Sequence, residues 1–70
     1  DLGARYRVAA YRVLAEDYTE AFDQLLEIVR RDRGFREDAG RLAMLDLFNF
    51  LGNGDRRVND YRKRLSRELF

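Results

Sequence analysis

The run from Asp17 to Asp32, Asp-Tyr-Thr-Glu-Ala-Phe-Asp-Gln-Leu-Leu-Glu-Ile-Val-Arg-Arg-Asp, constrains the fold of this chain more than any other stretch. Tyr18, Ala21, Phe22, Leu25, Ile28 and Val29 recur at intervals of three and four, so a helix over Tyr18–Arg31 puts them on one face. Asp17 stands where a cap accepts the amide three residues on, with Glu20 placed to reach back. Arg30 and Arg31 fall in the last turn, at the negative end of the helix dipole. Gly34 is the expected stop, in the left-handed conformation that ends many helices. A helix with so continuous an apolar face needs neighbours to cover it.

The rest of the chain supplies them. Proline is absent, and three further helices are predicted. The first runs from about Ala4 to Glu16, with Tyr6, Ala9, Ala10, Val13 and Leu14 on one face, and no evident cap precedes it. The third runs from about Glu37 to Leu51, opened by the acidic pair Glu37 and Asp38. Its body, Leu42 to Leu51, is apolar on most sides, the pattern of a central helix packed on several faces. Gly40 weakens its first turn or admits another backbone. Gly52-Asn53-Gly54 makes a tight turn, and Asp55 caps a fourth helix over Arg56–Leu69. Its stripe, Val58, Tyr61, Leu65 and Leu69, is narrow, so it should pack along one side. The expected fold class is all-α: two antiparallel helix hairpins in one domain, residues 1–70.

Composition removes several function classes. There is no cysteine and no histidine, which disfavours zinc, haem and thiol or imidazole chemistry. No cofactor or metal is expected, and no apolar run is long enough to span a bilayer. The chain begins at Asp1 instead of methionine, the expectation for a piece of a longer protein. Residues 1–54 carry eight arginines against ten carboxylates, a balance of −2, while residues 55–70 carry six basic groups against three acidic, +3.

The pairs Glu16/Glu20, Glu20/Asp23 and Asp23/Glu27 have helical spacing, but acid–base work needs a sheltered pair with separated pKa values; a solvated face is the reading here. Ser66 and Thr19 have no histidine to activate them, and Gly52-Asn53-Gly54 lacks the ending of a phosphate loop. No enzyme is expected. Asp46, inside the apolar third helix, must be paired if buried; an arginine partner from a neighbouring helix is expected, and gripping a partner protein is the alternative. Of the many aromatics, Tyr6, Tyr11 and Phe50 are candidates for an exposed apolar patch, covered by an upstream segment, a second copy of the chain, or unfolded clients. A basic helix after a tight turn is also the arrangement of a DNA recognition helix, although the near-neutral total of +1 argues against nucleic acid.

Ala9 midway along the first helix, Tyr18 at the start of the second and Ala21 three residues on resemble the signature of the tetratricopeptide repeat. Small residues let the hairpin helices approach, and the aromatic fills the angle between them. Residues 1–35 then make one repeat of about 34 residues and residues 36–70 a degenerate second. The pattern departs at Arg5, Arg12 and Arg33, where aromatics and a closing proline are usual. A narrower resemblance covers residues 4–70. Tyr18-x-x-Ala21, Leu25 to Asp32, Phe35, Leu45-Asp46-Leu47-Phe48, Leu51-Gly52, Tyr61 to Leu65 and Leu69-Phe70 look, in order and spacing, like the carboxy-terminal region of bacterial thioredoxin-like co-chaperones, or chaperedoxins. That resemblance implies a cytoplasmic, non-catalytic module that helps hold unfolded clients and contacts the chaperonin through its last helix. The residues it points to are Tyr61, Arg62, Lys63, Leu65, Leu69 and Phe70. A generic repeat scaffold with a specific peptide partner is the alternative.

Overall fold

A computed structural model describes all residues, 1–70. It contains four helices and no strand: α1 Leu2–Leu14, α2 Tyr18–Arg31, α3 Ala39–Leu51 and α4 Arg56–Leu69. The domain is a flat slab of 32 × 30 × 15 Å. The helix that packs on all the others is α2, which buries Ala21, Phe22, Leu25, Leu26, Ile28 and Val29. These residues occupy two adjoining faces, so α1 covers one and α3 with α4 the other. The sequence points to α3 as the central helix, and the structure corrects this: Leu42 and Phe50 on α3 are exposed.

Aromatic packing fixes the second hairpin on α2. Phe22 is fully buried, 5.3 Å from the Phe48 ring of α3 and stacked on Tyr61 of α4 at 4.8 Å and 22°. Val58, Tyr61 and Leu65 are the buried residues of α4, with Leu69 partly buried beside them, so this helix does pack along one side. The Tyr61 hydroxyl donates to the Asp23 carboxylate near the start of α2. Arg30 donates to Glu68 at 3.1 Å and Arg33 donates to the Glu68 carbonyl at 2.8 Å, tying the ends of the same two helices. Start meets start and end meets end, so α2 and α4 run parallel.

The helix ends differ from expectation. Asp1 accepts from the Gly3 amide at 2.9 Å, so α1 starts at Leu2 and has a cap. It ends in a Schellman turn, the Glu16 amide donating to the Val13 carbonyl and the Asp17 amide to the Arg12 carbonyl. The left-handed position in that turn is Glu16, φ 60°, where glycine is usual. Asp17 caps α2 through the Glu20 amide, but the Glu20 side chain accepts from Gln24 instead of reaching back.

The connection from α2 to α3 departs most. Gly34 is not left-handed; instead Arg36, Glu37 and Asp38 are, at φ 45°, 59° and 70°. Glu37 and Asp38 therefore lie in the turn, and α3 begins only at Ala39. Asp38 gives one carboxylate oxygen to Arg41 and makes no cap bond, while its other oxygen is buried without a partner. Gly40 faces α2 closely: a methyl group there would sit 3.1 Å from Ile28 Cγ2 and Val29 Cγ2 and 3.3 Å from the Leu25 carbonyl. Close backbone approach is thus the reason for this glycine. In the last turn only Gly52 has positive φ, 92°.

Candidate functional site

Helices α1 and α3 both lean on α2 without packing closely on one another. The space between them is an open groove of about 380 Å³, within the roughly 300–1,000 Å³ common for ligand pockets. Tyr6, Ala9, Ala10, Val13 and Leu14 of α1 form one wall, Ala43, Asp46 and Leu47 of α3 the other, and Leu25 of α2 the floor. The spacing explains the wall: residues 6, 9, 10, 13 and 14 share one helical face. Ala10 and Ala43 present little bulk to the groove, while Ala9 is also buried in the core. Leu14 at the groove's end is 80 % exposed, an apolar side chain with no partner in the chain.

In sequence these residues of α1 form one apolar helical face, with Tyr6 also a candidate for an exposed patch. Asp46 is expected from the sequence to have an arginine partner if buried, with a grip on a partner protein as the alternative. It is exposed, lines the groove and takes part in no ion pair.

Of the three patch candidates, Tyr11 is 67 % and Phe50 73 % exposed. Tyr6 is half-buried, because Phe35 from the α2–α3 turn packs 6.2 Å from its ring and Arg36 lies over both rings. The repeat-signature residues Ala9 and Ala21 are buried. Tyr18 is half-buried, 6.2 Å from Phe50 and beneath Arg57.

The residues named on α4 do not form one surface. Tyr61 and Leu65 are buried and Leu69 partly so, while Arg62, Lys63 and Phe70 are exposed. Arg62 donates to Asn53 at 2.8 Å and lies over Phe48. Arg57 is held by Asp55 and Arg64 by Asp60. That leaves Arg56, Lys63 and Arg67 as the basic groups of α4 without a partner in the chain, on one helical face by their spacing.

The titration of the ionisable groups reflects packing. Burial, then the bond to Asp23, raises the Tyr61 hydroxyl well above its ordinary value. Asp55 is pulled down to about 2, mainly by its bonds from Arg57. Hydrogen bonding to Arg31 lowers Glu27. The carboxylates that share helical spacing on α2 are engaged singly: Glu20 by Gln24, Asp23 by Tyr61 and Glu27 by Arg30 and Arg31. No three carboxylates converge as ligands for one ion.

Two helical hairpins stacked with their second helices parallel, and an open groove along their first helices, define a helical-repeat domain. The tetratricopeptide repeat family matches across residues 1–70, and the chain belongs to it. Repeats of this family generally mediate protein–protein contacts and are generally not catalytic. Uncharacterised proteins of Mycobacterium bovis and Mycobacterium tuberculosis are 30 % identical over all 70 residues. The chain spans 23 % of the length of these curated relatives. No solved structure matches. No helix is long and apolar enough to cross a membrane.

Proposed function

We propose that this chain is the protein-interaction module of a bacterial, cytoplasmic, thioredoxin-like co-chaperone, holding apolar segments of unfolded clients in the groove between α1 and α3. The groove carries the reading. Its walls are apolar apart from Asp46, it is open to solvent, and it ends at the exposed Leu14, so an extended segment can enter without unfolding the domain. Residues 1–35 form one repeat and 36–70 a degenerate second, so the groove lies between the first helices of successive repeats. The residue order from Tyr18 to Phe70 supports the co-chaperone assignment over a generic scaffold. Contact with the chaperonin falls to the exposed part of α4: Arg62, Lys63 and Phe70.

The buried positions of Tyr61 and Leu65 determine the test. A chain ending at Asp60 loses both from the core and measures unfolding, so point variants are required. In the full-length protein, Ala10→Trp fills the groove from an exposed position, and Lys63→Glu with Phe70→Ala alters the tail. Light scattering of a heat-denatured client should show lost protection for the groove variant alone. Chaperonin pull-down should show reduced recovery for the tail variant alone. Full protection by Ala10→Trp rules out the groove as the client site, and undiminished recovery by the tail variant rules out α4.

A further inference from the structure

Asp46 is the single charged group of the groove. The chain has thirteen carboxylates, and ten are engaged by a backbone amide, a hydroxyl, an amide side chain or an arginine. The three others are Glu16 and Glu37, in the interhelical turns, and Asp46. Asp46 is therefore the only carboxylate on a helix with no partner in the chain. Aspartate is among the poorer helix formers at an interior position, and the facing wall offers it no cationic partner. Tyr6, Ala9, Ala10, Val13 and Leu14 contribute only apolar surface and one phenol.

We propose that Asp46 makes the groove selective for apolar polypeptide segments that carry one arginine or lysine. This rests on the reading of the groove as a peptide site. Two effects act in the same direction. A segment seated between α1 and α3 displaces water from Asp46, and an ammonium or guanidinium replaces that hydration with a charge-assisted bond. A wholly apolar segment strips the same water and returns nothing, which costs binding energy. An acidic segment adds like-charge repulsion. The groove thus discriminates by penalty as much as by attraction. For a partly exposed pair the expected preference is roughly fivefold.

The test uses fluorescence polarisation with the full chain and three labelled peptides rich in leucine and valine. They differ only at a central residue: arginine, the uncharged norleucine, or glutamate. The arginine peptide should bind roughly fivefold more tightly than the norleucine peptide, the glutamate peptide most weakly, and added salt should narrow the gap. Asp46→Asn, an exposed change whose fold is checked by circular dichroism, should abolish the arginine preference while leaving norleucine binding intact or stronger. Ala10→Trp should weaken all three. Equal binding of arginine and norleucine peptides, still sensitive to Ala10→Trp, overturns the charge selection and leaves the groove as a peptide site. Binding of none of the peptides overturns both. A dimer of the chain in sedimentation that Ala10→Trp dissociates makes a second copy the occupant and also overturns the proposal.

Discussion

The link between Tyr61 and Asp23 is a sharp place to test how the second hairpin is held. Tyr61→Phe removes one hydroxyl and leaves the ring stacked on Phe22 at 4.8 Å. The lost bond has a charged acceptor, and such bonds contribute about 1.5–3 kcal/mol when the partner stays buried. Asp23 is exposed, so its carboxylate regains water once the phenol is gone. The contact of the same hydroxyl to the Thr19 carbonyl is 3.5 Å, too long to add much. The cost should therefore fall at or below the low end, about 1–1.5 kcal/mol. At about 0.05–0.15 kcal/mol per residue, a domain of this size holds roughly 3.5–10 kcal/mol in all, so the loss is readily measured. Urea unfolding followed by circular dichroism should show a lower midpoint with an unchanged slope. Asp23→Ala should cost a similar amount, and the double variant no more than either alone. Unchanged stability for Tyr61→Phe, or strictly additive costs in the cycle, would show that the bond does not hold α4 on α2.

Other expectations follow from the backbone and the titrating groups. Gly40→Ala gains helix propensity, but its methyl would press on two β-branched side chains and a carbonyl at 3.1–3.3 Å. Overpacking of this kind typically costs about 1–3 kcal/mol, so thermal unfolding should occur at lower temperature. Glu16→Gly should do the opposite: it relieves a left-handed residue at φ 60°, worth about 1–2 kcal/mol, against a smaller loss from greater unfolded-chain freedom. The net gain should be about 0.5–1 kcal/mol, read as a higher melting temperature. The Tyr61 hydroxyl has its pKa raised in the folded chain, so its contribution is complete below about pH 10 and is lost as pH rises beyond the unfolded value. Tyr61→Phe should flatten the stability curve there. Asp55, lowered to about 2 by Arg57, contributes above the unfolded carboxylate range and loses that contribution as pH falls from about 4 towards 2. Asp55→Asn should remove this acid limb.

The sequence by itself determined the helices and much of what each buries. Periodicity in α2 and α4, the aspartates at 17 and 55 and the lack of proline are local signals, and local hydrogen bonding responds to them directly. The bounds of α2 and α4 and the stripe Val58–Tyr61–Leu65 were legible for that reason. Asp46 was legible as an anomaly, because a charge inside an apolar helix breaks a local pattern. What Asp46 faces was not, since that depends on how far apart two helices rest on a third. The same holds for the groove. Ala9 and Ala10 read in sequence as part of one apolar face, and Ala43 as part of the apolar third helix; they line an opening only once α1 and α3 are set side by side on α2. The turn at residues 32–38 also belongs to the tertiary structure. Glycine-based signals pointed to Gly34, but packing Phe35 on Tyr6 and bringing Gly40 onto Ile28 and Val29 left Arg36, Glu37 and Asp38 to take the left-handed conformations. Local chemistry selected the elements; the separation of α1 and α3, set by side chains distant in sequence, decided which of their surfaces remain free to bind.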